Sequence, residues 1–186
     1  MRVWQLTSRL SAVWFLDGGL MAHQGYSSLV MGGTGMLADA TRWLVAHSVR
    51  SLVVSRNASR FVLPTSSGLK SLDANWEHPS YVDDVRNALR DLIPITHSLI
   101  WLHKPEPILE RLLPLLPGAN NVIVLGSMDA QPSLPLAGIT AAYVRLGSMA
   151  TTTGRRWLTH QEISDAAIVA LVDGQSRQVG ELRSIC

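Results

Sequence analysis

The most specific chemistry in this sequence lies in Gly32-Gly33-Thr34-Gly35-Met36-Leu37-Ala38, a run that contains G-x-G-x-x-A at Gly33, Gly35 and Ala38. One glycine permits a tight strand-to-helix turn, a second lets the backbone approach a pyrophosphate, and a small third residue lets the helix pack closely on the strand. The amides that open the helix are free to donate, and the positive end of its dipole favours phosphate. The run is bounded by an apolar segment before it and a helical pattern after it, the context this motif needs. The alternative is a glycine-rich turn that binds no nucleotide.

About twenty residues further on stand Ser55-Arg56-Asn57, where an NAD site usually has Asp or Glu to accept from the ribose hydroxyls. No carboxylate is present. Arg56 can instead donate a bidentate pair to a 2′-phosphate. The local chemistry favours NADP(H), with NAD(H) the less favoured partner; the plain alternative for Arg56 is a solvated surface arginine.

Other chemistries find little support. The histidines at 23, 47, 78, 97, 103 and 160 have no metal-ligand spacing, and no metal is expected. There is no G-x-x-x-x-G-K-[ST] and no G-x-S-x-G. The single cysteine, Cys186, can form no internal disulfide and fits a reducing, cytoplasmic setting. A net charge of +2, from 16 basic and 14 acidic residues, gives no surface for nucleic acid. Arg155-Arg156 is too small a patch to change that.

The elements that must position the glycine run alternate between strand and helix. Ser28–Gly32 reads as a buried strand, and Gly35–His47 as a helix with Met36, Ala40, Trp43 and Leu44 on one face. Ser51–Ser55 and Leu69–Asp73 read as the second and third strands. Ser80 reads as the N-cap of a helix carrying Val82, Val85, Leu89 and Leu92. Ile95–Leu102 is a fourth strand, apolar enough to be buried on both faces. Pro105 and Pro107 suit the start of a helix reaching Leu116, with Pro114 ending it early. Asn121–Gly126 and Ile139–Leu146 give strands five and six, and Gln178–Arg183 a further short one. Thr159 to Glu162 is a capping box that opens a helix ending near Gly174.

This alternation predicts an α/β fold: a single doubly wound parallel sheet of the Rossmann type, strand order 3-2-1-4-5-6. At 186 residues, one domain is expected, over residues 27–186, and the 47% hydrophobic content supports a substantial core. Residues 1–26 read as an extension. Arg2 and Arg9 ahead of the apolar run Leu10–Leu16 have the outline of a secretory leader, but Asp17 cuts the run short and no small-x-small cleavage site follows. No apolar stretch reaches 18 residues, so no membrane span is expected.

GGTGMLADATRWL followed by VVSRN resembles the short-chain dehydrogenase/reductase superfamily, and in particular its NADP-preferring members. The resemblance covers about Ser27 to Asp73. More loosely, WLHKPEP, VIVLGSMDAQP and RRWLTHQEIS are similar to small bacterial proteins of short-chain dehydrogenase type. The resemblance implies a cofactor site built from Gly32, Gly33, Thr34, Gly35, Met36 and Leu37, with Ser55, Arg56 and Asn57 beyond them. It places Asp73 near the adenine and Trp101 to His103 along the nicotinamide ribose. Ser127, just past the fifth strand, takes the place of the catalytic serine. It also implies a small-molecule substrate and a homo-oligomer.

The superfamily's usual Tyr-x-x-x-Lys is missing. The tyrosines are Tyr26, Tyr81 and Tyr143, and four residues on stand Val30, Val85 and Gly147. The dozen residues from Ser127 to Gly138, with Pro132 and Pro135 among them, are too few for the long helix that carries that pair. Candidate substitutes are Tyr143 acting with Ser127, or His103 or Lys104 after the fourth strand. The expectation is an NADP(H)-dependent oxidoreductase acting on a small carbonyl or imine. The alternative is a non-catalytic NAD(P)-binding sensor or accessory protein.

Overall fold

The computed structural model describes residues 25–61, 68–103, 106–127 and 139–182. Apart from Gly25 and Tyr26, the expected N-terminal extension lies outside these residues, as does Lys104.

The first strands are β1 (Tyr26–Met31), β2 (Ser48–Ser55) and β3 (Leu69–Asp73), separated by helix α1 (Ala38–Ala46) and a short turn of 3₁₀ helix at Ala58–Arg60. Helix α2 (Tyr81–Leu89) leads to β4 (His97–Trp101), and α3 (Glu106–Leu112) leads to β5 (Asn120–Leu125). Next come β6 (Ala141–Leu146), the strands β7 (Ser148–Thr151) and β8 (Gly154–Trp157), helix α4 (His160–Asp173) and β9 (Arg177–Val179). Seven strands form one parallel sheet in the order β3-β2-β1-β4-β5-β6-β9. The expected order is therefore present, extended by β9 at one edge. Among the described residues, no helix is long and apolar enough to cross a membrane.

Both faces of the sheet are covered, which is why its strands read as nearly unbroken apolar runs. Side chains alternate across the sheet. Leu29, Met31, Leu52, Val54, Ile100 and Ile123 face a core completed by α2 and α3. Val30, Val53, Leu99, Val122, Val124 and Val144 face a second core completed by α1 and α4. Polar ties sit at the lower, N-terminal border: Ser28 and Ser51 hydroxyls meet at 2.9 Å, and Ser98 donates to Asn121 Oδ1 at 2.8 Å.

The structure corrects several local expectations. Helix α1 starts at Ala38, not Gly35, because Thr34 to Leu37 form a turn closed by Ala38 N–H donating to Gly35 O at 3.0 Å. Ser80 is not a side-chain cap: its hydroxyl donates to Asp84 at 2.7 Å instead of accepting from an α2 amide. The antiparallel pair β7–β8 was not expected at all. Its strands are largely exposed and show no burial period, and its two-residue loop is Thr152-Thr153 rather than Asn-Gly. The Thr159–Glu162 capping box forms as expected. At its far end α4 closes on Gly174 at φ 68°, and Asn120 Nδ2 donates to the Leu171 carbonyl at 2.7 Å, filling an acceptor the helix leaves unpaired.

Candidate functional site

The four central strands end at one rim, and the C-terminal border of a parallel sheet is where such folds bind ligands. A cleft of about 310 Å³ opens there, between the β1–α1 turn and the ends of β2, β3 and β4. That volume falls within the range of small-molecule sites, about 300–1,000 Å³.

The three glycines of the turn do different jobs. Gly32 has φ 71°, and a Cβ there would lie 2.0 Å from the Trp101 carbonyl oxygen, so this glycine lets β1 turn against the end of β4. A Cβ on Gly33 would meet Thr41 Oγ1 at 2.3 Å and Val30 Cγ1 at 2.4 Å, and Thr41 donates to the Gly33 carbonyl at 2.8 Å. Gly33 thus seats α1 on the sheet. A Cβ on Gly35 would meet nothing within 4 Å. This glycine borders open cleft. Around it, the amides of Thr34, Gly35, Met36 and Leu37 have no acceptor among the described residues. Free amides at the mouth of a helix form a cradle for an anion. Ser164 of α4 secures the turn from outside, donating to Met36 O at 3.3 Å.

The cleft brings together most of the residues expected from the sequence. Gly32, Thr34, Gly35 and Met36 line one side; Ser55, Arg56 and Asn57 line the end of β2; His103 lines the end of β4. Arg56 is exposed and forms no ion pair among the described residues. Leu37 does not line it; its side chain is buried in the core beneath α1. Asp73 does not line it either. Its carboxylate accepts from Ser59 N at 2.8 Å and Ser59 Oγ at 2.5 Å, bonds that hold its pKa below the ordinary value. With Ala74 N–H donating to Ser55 O at 2.9 Å, these contacts brace the turn that carries Arg56 and Asn57.

Sequence reasoning missed Val54, Ala74, Trp76 and Tyr81, which also line the cleft. No chemical motif marks them; what could have found them is their place, at the end of β2, just past β3 and, for Tyr81, at the start of α2. Trp76, Trp101 and His103 form an aromatic corner, with His103 at 5.8 Å from Trp101 edge to face and 6.5 Å from Trp76 between ring centres. Tyr81 is buried, and burial pushes its hydroxyl pKa far up, so the phenol stays protonated.

Ser127 and Tyr143, expected to act together, are apart. In the sheet register Tyr143 pairs with Ile123, four residues before Ser127, or about 13 Å along the strand. Tyr143 packs against the α2–α3 core, and burial raises its pKa. Ser127 lies instead at the rim, beside the β7–β8 pair, with Ser148 and Trp157 around it.

No family profile matches the sequence, and no curated protein is similar to it at the sequence level. Solved structures are similar in fold. A short-chain dehydrogenase/reductase from Brucella melitensis (glucose/ribitol dehydrogenase) superposes with a TM-score of 0.58 at 12% identity, over 84% of this chain and 96% of that one. The TT0495 protein of Thermus thermophilus gives 0.56 at 18% identity, over 83% and 97%. A Rossmann-fold NAD(P)-binding family protein from Shigella flexneri gives 0.51 at 10% identity, over 81% and 91%. This is a Rossmann-type fold. In this chain that fold keeps the glycine turn and the cleft, and lacks the Tyr-x-x-x-Lys pair.

Proposed function

We propose that the protein binds NADP(H) in the rim cleft and acts as a short-chain-type oxidoreductase on a small carbonyl or imine. The observation that carries the reading is the cradle at Gly35: an open space with amides from Thr34 to Leu37 that have no acceptor among the described residues, in the same cleft as Arg56, which forms no ion pair among them. These amides would hold the pyrophosphate. Arg56 would hold the 2′-phosphate, an anion that an acidic residue at that position would repel. Trp101 and His103 would form the wall beyond the glycine turn. When bound, the nicotinamide supplies or accepts a hydride, interconverting carbonyl and alcohol, or imine and amine, with one proton moved. Ser127 would donate a hydrogen bond to the substrate oxygen or nitrogen. With Tyr143 out of reach, the proton comes from solvent, passed by a water bound to the Ser127 hydroxyl.

A second reading is favoured by one observation. The register that keeps Tyr143 from Ser127, with no Tyr-x-x-x-Lys in the chain, leaves the rim without a conventional proton donor. The protein would then be a non-catalytic dinucleotide-binding sensor or accessory protein. Calorimetric titration with NADPH and NADH, followed by NADPH oxidation over carbonyl and imine substrates, separates the two. NADPH should bind, and NADH about tenfold or more weakly, given about 1.5–3 kcal/mol for hydrogen bonds to a charged group. Binding with no turnover selects the second reading. No binding of either dinucleotide overturns both.

A further inference from the structure

We propose that the β7–β8 hairpin is the substrate wall of this site and selects an uncharged, planar carbonyl or imine compound, which lies on Trp157 with its polar atom at Ser127. The proposal rests on the oxidoreductase reading above and adds the substrate class.

The hairpin is fixed in place by backbone. Ser148 N–H donates to Glu181 O at 3.0 Å, and Glu181 N–H donates back to Ser148 O at 2.9 Å. A Cβ on Gly147 would lie 2.4 Å from Glu181 O, and one on Gly180 would lie 2.8 Å from Ser148 O. Glycine at both positions lets the C-terminal segment pass within hydrogen-bonding distance of β7 and clamp it at the end of the sheet. β6 adjoins β5, so the clamped hairpin stands next to Ser127 at the same rim.

A small recess of about 60 Å³ lies between Ser127 and the hairpin. That admits roughly four or five water-sized groups, enough for the polar end of a small molecule but not for its body. The body must rest outside, and Trp157 is there to receive it. Trp157 is 69% exposed, a large aromatic surface on an otherwise polar strand, and it lines the recess together with Ser127. An indole favours flat, conjugated partners over puckered ones.

The two arginines of the recess decide charge. Arg155 donates to Glu181 Oε2 at 2.7 Å and to Ser148 Oγ at 2.8 Å, with longer contacts to the Ser148 and Glu181 carbonyls. Arg156 donates to both Glu162 oxygens, at 2.8 and 2.7 Å, and to Trp157 O at 2.9 Å. Each guanidinium already has a carboxylate. An anionic substrate would have to displace Glu181 or Glu162, so the recess offers it nothing that a neutral substrate lacks.

The test uses the full chain loaded with NADP⁺ and three ketones as calorimetric probes: acetophenone, cyclohexyl methyl ketone and para-acetylbenzoate. Acetophenone should bind about tenfold more tightly than cyclohexyl methyl ketone, and para-acetylbenzoate no more tightly than acetophenone. Trp157→Ala should remove the acetophenone advantage, Trp157→Phe should keep most of it, and NADP⁺ affinity should stay unchanged in both. Tighter binding of the carboxylate, an unchanged acetophenone affinity in Trp157→Ala, or no ketone binding to the NADP⁺-loaded protein would each overturn the proposal while leaving the cofactor cleft standing. Failure of NADP⁺ itself to bind would overturn the cleft reading, and this wall with it.

Discussion

At the β1–β2 side of the rim the site is made of backbone: a left-handed Gly32, an open Gly35 and four amides with no acceptor among the described residues. At the β6–hairpin side it is made of side chains held in charged pairs, Arg155 with Glu181 and Arg156 with Glu162. The first construction tolerates little change in side-chain size but is indifferent to pH. The second tolerates changes of size, being exposed, and responds to protonation. On the proposed reading, one rim carries a fixed cofactor cradle beside a substrate wall that sequence change can retune.

The sharpest way to break that comparison lies inside the glycine turn. Gly32→Val should destabilise the fold by about 3 kcal/mol or more, because it combines a strained φ with a clash against the Trp101 carbonyl; thermal denaturation would read it. Gly35→Val should leave the melting temperature nearly unchanged, since its Cβ enters empty space, yet weaken NADPH binding about a hundredfold. A variant at Gly35 that binds normally would move the dinucleotide elsewhere. Arg56→Glu should cost about ten- to a hundredfold in NADPH affinity while NADH affinity holds or rises, as titration would show. Equal effects on both cofactors would remove Arg56 from the phosphate.

On the other side, Tyr143→Phe should change turnover less than twofold and stability by less than about 0.5 kcal/mol, because Tyr143 sits on the α2–α3 face, away from Ser127. Abolished turnover would contradict the placement of the tyrosine. The smallest effect concerns pH. Bonds from Arg156 and from Thr159 hold the Glu162 pKa at about 2, below the ordinary 4.5. A depressed carboxylate pKa stabilises the fold above 4.5, and the contribution fades as pH falls towards 2. Glu162→Gln should flatten the acid-side fall in melting temperature across that window.

The glycine turn and the cleft beside it were legible because they are written in local residue type. Glycines at a strand end, a missing carboxylate and an arginine at Arg56 each carry meaning within a few positions. The sheet order followed from alternating apolar runs, since parallel strands buried on both faces leave continuous patterns. That Asp73 accepts from Ser59 was not legible, because the two lie 14 positions apart and only the fold brings them together. The Ser127–Tyr143 pairing failed because sequence shows that both residues sit near β5 and β6, but not the register between those strands. The hairpin was invisible because exposed strands have no burial period, and its clamp joins Gly147 to Glu181, 34 positions away. Trp76 and Tyr81 carry no motif; only the convergence of β2, β3 and β4 brings them to the cleft.

The flanks of the sheet have a consequence for behaviour at high concentration. One flank, β3, is five residues long and carries Lys70, paired with Asp91; the other, β9, is three residues long and carries Arg177, paired with Asp173. A second molecule seeking to extend the ladder would find few open amides and a charged side chain at each border. Seven strands this rich in valine and leucine would otherwise invite fibril growth, and the short, charged margins should keep a dense solution of this protein clear.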